Sequence, residues 1–165
     1  MNFRRYCLKC PKAVHCCING FVYITKKNAE QIKKTTKLPY IEFIDNSPLP
    51  KKIISSMKDE DPCLEGAMNY RQLDRGRLSR LKKTDKHCIF FENGRCSIYR
   101  VRPNICRIYP FWAMRLVNGR LKVIEHDVES QCSIVKGKEI DKILTAKDKK
   151  EIKKIFREIE VNAYP

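Results

Sequence analysis

The sequence has no apolar run long enough to cross a membrane, and Met1–Lys12 has no apolar core of the signal-peptide type. Low-complexity tracts and repeats of fixed period are also missing. These absences exclude an integral membrane protein and a repeat architecture, and we expect a cytoplasmic protein without a membrane partner.

Signatures of common enzyme classes are missing as well. No Gly-rich nucleotide loop follows a predicted strand, and the Cys-x3-Cys-x2-Cys spacing of radical-type cluster enzymes does not occur. No Ser-His-Asp or paired-carboxylate pattern can be identified by spacing. The residues alone therefore leave open whether the protein is an enzyme.

Acidic residues are scarce. Nineteen Asp and Glu stand against thirty-five Lys and Arg, which gives a formal net charge of +16. Such a charge attracts nucleic acid, anionic lipid or an acidic partner. Thiolate-metal sites would lower the charge, since a four-thiolate zinc site carries about −2. A nucleic-acid partner is thus indicated by charge alone, and no protein partner can be named.

Cysteine, in contrast, is abundant. Eight of the nine cysteines fall into two groups, which are Cys7, Cys10, Cys16 and Cys17, then Cys88, Cys96, Cys106 and Cys132. A chain of 165 residues can bury a sufficient core without disulfides. Thiolate is a soft ligand that selects zinc, copper(I) or iron-sulfur clusters, and the two-residue gap of the first pair suits one ion. Metal binding is the favoured interpretation, with disulfides and inert burial as alternatives.

Several sulfur-bearing positions do not fit a simple four-plus-four arrangement. The adjacent Cys16 and Cys17 diverge in extended backbone, so they either serve different metals or share one cluster across a bent backbone. Cys63 stands apart and is interpreted as a buried or free thiol. His15 and His87 each precede a cysteine and are weaker ligand candidates.

Helix signals occur in three regions. Thr25 is a suitable cap for a helix over Lys26–Lys37 that follows a short strand, Phe21–Ile24, and Pro39 can begin a second helix. Pro103 and Pro110 bound a short helical turn that carries Cys106. The tail from Lys138 is predicted to be helical, with Thr145 and Asp148 as a capping box before Ile152, Ile155, Phe156 and Ile159.

Two Asn-Gly pairs predict β-hairpins with two-residue loops. The second pair, Asn118-Gly119, joins Trp112–Val117 to Arg120–Ile124. The first, Asn93-Gly94, pairs Glu92 with Arg95, Phe91 with Cys96 and Cys88 with Tyr99. In that register Cys88 and Cys96 lie on opposite faces. Either Cys88 lies beyond the regular ladder, a bulge shifts the register, or the two sulfurs serve different sites.

The cysteine-rich segments resemble the CxxCxxCC family, the YkgJ-like cysteine-cluster proteins described as zinc- or iron-chelating domains. The resemblance rests on Cys7 to Cys17 and on Cys88, Cys96-Ser97-Ile98-Tyr99, Arg102-Pro103 and Cys106-Arg107-Ile108-Tyr109-Pro110-Phe111. Cys132 matches the last family cysteine. One departure is the loop Pro11–His15, which supplies five residues where the family usually has two.

This resemblance implies that the eight grouped cysteines are metal ligands for zinc or an iron-sulfur cluster. The family also includes a relative described as a flagellin lysine methylase, so an enzyme of the protein-lysine methylase type is an alternative, and a basic nucleic-acid-binding module is another. From this resemblance and the pattern of helices and strands, we expect an α+β fold in which helices surround a small, cysteine-rich, metal-centred core with two β-hairpins. Residues 1–135 would form the metal-binding domain and residues 136–165 a helical extension packed on it.

Two arginines of the motif flank Cys106. Arg102 and Arg107 could stabilise an anionic thiolate centre and lower thiol pKa values. They could equally form salt bridges or stack on Tyr99 and Tyr109. The sequence is compatible with both roles for these arginines.

Overall fold

The computed structural model describes residues 22–48, 51, 79–84, 87–125 and 139–161. Helices and short antiparallel strand pairs give the α+β class that the sequence predicts. The elements are α1 (Lys26–Thr36), α2 (Tyr40–Phe43), β1 (Ile44–Asp45), β2 (Arg80–Leu81), β3 (Lys83–Thr84), β4 (His87–Cys88), β5 (Phe91–Glu92), β6 (Arg95–Cys96), a 3-10 turn (Tyr99–Val101), α3 (Asn104–Ile108), β7 (Phe111–Arg115), β8 (Leu121–Glu125), α4 (Ile140–Ile143) and α5 (Ala146–Val161). None of the helices in these ranges could cross a membrane.

Helix α1 begins where the sequence predicts. The Asn28 N–H donates to Thr25 Oγ1 at 3.2 Å, and the Thr25 N–H donates to Asn28 Oδ1 at 3.4 Å. This reciprocal capping satisfies two amides of the first turn. The helix ends at Lys37, which adopts a left-handed φ of 63°. The segment before it, Val22–Ile24, is extended but forms only an isolated bridge, between Tyr23 and Arg80, instead of the predicted strand.

The first hairpin has the predicted register. Phe91 pairs with Cys96 and Glu92 with Arg95, and both loop residues have positive φ, 49° at Asn93 and 74° at Gly94. Cys88 is not part of this ladder, because it pairs with Lys83 of β3. The first of the three alternatives for Cys88 is therefore correct, and the Cys88–Tyr99 pair does not form.

The second hairpin differs from the prediction in its loop. Its ladder runs from Phe111–Glu125 to Arg115–Leu121. The Leu116 N–H donates to the Arg120 carbonyl and the Gly119 N–H to the Leu116 carbonyl, both at 2.8 Å. Gly119 has a φ of 75°, whereas Asn118 is not among the described residues with positive φ. The connection is thus a three-residue loop with glycine in the left-handed position, and the predicted two-residue loop is wrong.

The described residues bury two apolar cores. The first contains Val22, Ile24, Ala29, Ile32, Phe43, Ile44, Leu81, Cys88, Phe90 and Ile98. The second contains Ile108, Phe111, Trp112, Ala113, Leu121, Val123, Leu144, Ile152, Ile155 and Phe156. Ile105 of α3 packs against both. Helix α3 consequently joins the core that carries cysteine to the core that the C-terminal helix completes.

The C-terminal helix α5 is capped as predicted. The Asp148 N–H donates to Thr145 Oγ1 at 3.2 Å, and the Thr145 N–H donates to an Asp148 carboxylate oxygen at 3.1 Å. The Phe156 ring meets Trp112 of β7 edge-on, with ring centroids 5.1 Å apart. These contacts place α5 on the second hairpin, while the boundary between residues 1–135 and 136–165 stays a prediction.

Candidate metal centre

The three cysteines within the described residues lie at the same apolar core. Cys88 is buried in it, and Cys96 and Cys106 are half-buried and pack against its edge. No disulfide joins any two of these three. Cys88 and Cys96 are thus not oxidised to each other, and both remain ligand candidates.

Cys88 and Cys96 occupy equivalent local positions. Each is the last residue of a two-residue strand and is followed at once by a turn. In each case the backbone amide two residues further on hydrogen-bonds to the sulfur, that of Phe90 to Cys88 and that of Ile98 to Cys96. An amide donor at sulfur favours the thiolate form over the thiol.

Hydrogen bonds join the turn after Cys88 to the turn after Cys96. The Ser97 N–H donates to the Phe90 carbonyl at 2.8 Å, and the Ser97 hydroxyl donates to the same oxygen at 3.2 Å. Ser97 follows Cys96 directly, and Phe90 supplies the amide that bonds to Cys88. These contacts hold the two sulfur-bearing turns side by side, with little freedom to move apart.

Both thiols are held in the protonated form in the absence of a cation. Burial raises the pKa of Cys88 and that of Cys96, and it outweighs the amide hydrogen bonds that lower them. The negative charge of a Cys96 thiolate raises the pKa of Cys88 further through electrostatic repulsion. A cation between them would remove this repulsion and release the protons.

Two basic side chains oppose the effect of burial. The ammonium of Lys83, the strand partner of Cys88, lowers the pKa of Cys88. The Arg102 guanidinium lowers the pKa of Cys96. Arg102 therefore acts on the thiol of Cys96, which precedes it in the chain. In the sequence it also lies close to Cys106. Its guanidinium carbon also lies 3.9 Å from the Tyr99 ring centroid, so the predicted stacking on Tyr99 is confirmed, while a role at a thiolate-metal centre stays a prediction.

Arg107 follows the salt-bridge interpretation instead. Its Nη1 donates to Asn104 Oδ1 at 3.2 Å, and its Nη2 lies 3.8 Å from a Glu151 carboxylate oxygen on α5. This arginine links α3 to the C-terminal helix. The neighbouring Cys106 lies on α3 between Pro103 and Pro110, as the sequence predicts.

Comparison with known proteins places the chain in a family of metal-chelating domains. A family model described as "Putative zinc- or iron-chelating domain", CxxCxxCC, matches residues 6–133. The chain belongs to the CxxCxxCC family. It is also 28% identical over 115 residues to an uncharacterized protein of Methanocaldococcus jannaschii, a match that covers 66% of this chain and 50% of that protein. The chain thus spans about half the length of that relative. No solved structure matches.

Only part of the family's cysteine set can be located. Cys7, Cys10, Cys16, Cys17 and Cys132 lie outside the described residues, as do Cys63 and His15. Within the ranges that the structure describes, no three His, Cys, Asp or Glu side chains converge as a metal site. A complete CxxCxxCC centre at Cys88 and Cys96 therefore needs further ligands. His87 packs its ring on Phe91, with centroids 5.7 Å apart.

Three positioning residues were not identified from the sequence. Ser97 fastens the two turns, and only its place directly after Cys96 could have drawn attention to it. Lys83 could not be identified from the sequence, because its place opposite Cys88 depends on the pairing of β3 with β4. Asn28 accepts hydrogen bonds from the Thr25 amide and from the Asn104 amide of α3, at 3.4 and 3.3 Å. Its position three residues after Thr25 was the available signal, since a capping side chain is expected there.

Proposed function

We propose that the protein is a metal-binding protein that holds zinc or an iron-sulfur cluster through cysteine thiolates. Cys88 and Cys96 form one ligand pair in this proposal, and Cys7, Cys10, Cys16, Cys17, Cys106 and Cys132 supply the other ligands. A cytoplasmic location is part of the proposal, because a reducing compartment keeps these thiols available. Residues 1–135 would form the metal-binding unit.

The observation that carries the proposal is the matched geometry of the two turns. Each sulfur accepts an amide hydrogen bond from the residue two positions on, and Ser97 fastens one turn to the other. Donors of this kind stabilise a thiolate in a setting where burial disfavours it. An inert buried cysteine needs neither the donor nor a second thiol beside it.

The chemistry of the neighbours also fits an anionic metal-thiolate centre. A centre with several thiolates is negatively charged, and Lys83 and Arg102 provide positive charge to this pair. The amide donors of Phe90 and Ile98 would remain in place when the thiols lose their protons. The bound group would be either a redox-inactive ion that fixes the fold or a cluster that can carry an electron.

Metal and acid-labile sulfide analysis of protein purified without oxygen tests the proposal. We expect at least one metal per chain in the wild type, with a brown colour and sulfide if a cluster is bound and a colourless protein if zinc is bound. Cys88→Ser and Cys96→Ser are expected to lose metal. Cys63→Ser is the matched control, since Cys63 stands outside both cysteine groups.

Two results would contradict the proposal. One is less than one metal per chain in the anaerobic wild type. The other is equal metal content in Cys96→Ser and Cys63→Ser, because the ligand pair would then have no special role.

A further inference from the structure

A cavity of about 560 Å³ lies between the C-terminal half of α1 and the segment that runs from the 3-10 turn to α3. Among the described residues, its lining contains four cationic side chains and no carboxylate. The cations are Lys34 from α1, Arg100 and Arg102 from the segment around the 3-10 turn, and Arg107 from α3. Four like charges around one concavity repel one another, so this lining favours an anionic occupant.

Most of this charge is not balanced by the carboxylates that the structure describes. Arg107 is paired with Glu151. Lys34, Arg100 and Arg102, in contrast, form no ion pair with any carboxylate in the described parts of the chain. Arg102 also acts on the Cys96 thiol, whereas Lys34 and Arg100 have no such partner among the described residues and can neutralise a ligand.

Arg102 distinguishes this cavity from an ordinary basic surface. Only 7% of Arg102 is exposed, and its buried Nε has no hydrogen-bond partner among the described residues. Burying a cation with an unmet donor is costly, and such groups are commonly found where a ligand completes the site. The stack on Tyr99 fixes the plane of the guanidinium in advance.

The arrangement suits phosphate groups in particular. Arginine guanidinium groups bind phosphate oxygens through two parallel hydrogen bonds, and several cations without an ion pair among the described residues match an anion with more than one charge. Gln31 and Thr35 add neutral polar groups to the lining. The volume lies in the range of small-molecule pockets, about 300–1,000 Å³. We propose that this cavity binds the phosphate groups of a small phosphorylated molecule.

A nucleic acid fits the cavity less well. Single-stranded nucleic acid is bound along extended grooves with exposed aromatic platforms. The aromatic ring in this lining, Tyr99, has one face covered by Arg102. The net charge of +16 alone would attract nucleic acid anywhere on the surface, so the experiment has to separate the cavity from the general charge.

Calorimetric titration with inorganic pyrophosphate at low ionic strength distinguishes binding in the cavity from attraction by the general positive charge. The test variant is Lys34→Gln/Arg100→Gln, which removes two exposed cations of the lining. The control is Lys27→Gln/Arg120→Gln, which removes the same charge from exposed positions outside the lining. We expect saturable binding to the wild type, weakened about tenfold or more in the test variant and less than about twofold in the control.

Other results would overturn the proposal. These are no saturable binding of pyrophosphate, equal weakening in both double variants, or citrate binding as tightly as pyrophosphate. A single-stranded oligonucleotide that binds more tightly than pyrophosphate and depends on Lys34 and Arg100 would overturn it in favour of nucleic acid.

Metal analysis of the same samples keeps this inference distinct from the proposed function. The described lining residues include no cysteine, so the metal content of Lys34→Gln/Arg100→Gln should equal that of the wild type. Loss of metal in this variant would show that the cavity belongs to the metal centre and would overturn the separate site. Pyrophosphate binding to a wild type that holds no metal would leave this inference standing while the proposed function fails.

Discussion

The guanidinium carbon of Arg102 lies 3.9 Å from the centroid of the Tyr99 ring, and the same guanidinium lowers the pKa of Cys96. A desolvated cation on an aromatic face gains about 2 kcal/mol, which offsets part of the cost of burying the charge. The stack therefore fixes a positive charge that acts on the half-buried Cys96 thiol, which a metal-thiolate centre would use.

Removing this charge should make Cys96 harder to ionise. Burial raises the pKa of Cys96, as does the Glu92 carboxylate, and Arg102 opposes both. In metal-free protein we expect Arg102→Gln to move the alkylation midpoint of Cys96 to higher pH. Arg102→Lys keeps the charge and should move it less. Alkylation over a pH series, with peptide mass spectrometry, measures the midpoint, and identical midpoints in wild type and Arg102→Gln would contradict the expectation.

The stability of the metal-free protein should fall in alkaline solution. The folded pKa of Cys96 is raised, mainly by burial, so it lies above the unfolded value of about 8.5. Its contribution is fully present below the unfolded value and is lost as the pH rises through it towards the folded pKa. Urea unfolding under reducing conditions between neutral and alkaline pH should show a shallower loss in Cys96→Ala than in the wild type. Parallel pH profiles would argue against a raised pKa.

Elements with a complete local signal were predicted correctly from the sequence. The Thr25 cap, the Asn93-Gly94 loop and the Thr145–Asp148 capping box are each decided by contacts within a few residues. Pro103 and Pro110 likewise bound α3 because proline restricts its own backbone and that of its neighbour. In each of these cases the residues that decide the local structure lie within a few positions of one another in the sequence.

Elements that depend on distant residues could not be predicted. Asn118-Gly119 is compatible with two loop lengths, and the ladder that buries Leu121 and Val123 selects the longer one. The pairing of Cys88 with Lys83 uses an exposed strand, Lys83–Thr84, that shows no apolar alternation. A tertiary contact decides each of these arrangements.

The candidate site likewise contains features that the sequence predicted and features that depend on tertiary contacts. The spacing and motif identified Cys88 and Cys96 as ligand candidates, but their proximity depends on the hydrogen bonds between Ser97 and Phe90. Likewise, the sequence placed Arg102 near Cys106, whereas the folded backbone directs its charge to Cys96.

Asn28 should be important for the placement of the helix that carries Cys106. Its Oδ1 accepts hydrogen bonds from the buried amides of Thr25 and Asn104, which connects α1 to α3. Asn28→Ala leaves both donors unmet and should lower the free energy of unfolding by about 2 kcal/mol or more. Asn28→Asp keeps the acceptor and should lose less. The urea unfolding midpoints of the two variants test this expectation. Equal losses of unfolding free energy in both variants would mean that the Asn28 acceptor does not stabilise the fold.

Phe156 offers a test of whether the C-terminal extension stabilises the fold independently of the thiol pair. It is 1% exposed and meets Trp112 edge-on, in a core that contains none of the described cysteines. Phe156→Ala should reduce the free energy of unfolding by about 3–5 kcal/mol. Arg157→Ala, at the exposed neighbouring position, should stay within about 0.5 kcal/mol of the wild type. Urea unfolding gives both values, and the metal content per folded chain should be unchanged in Phe156→Ala. A proportionate loss of metal would show that the two cores act as one, through Ile105, which packs against both.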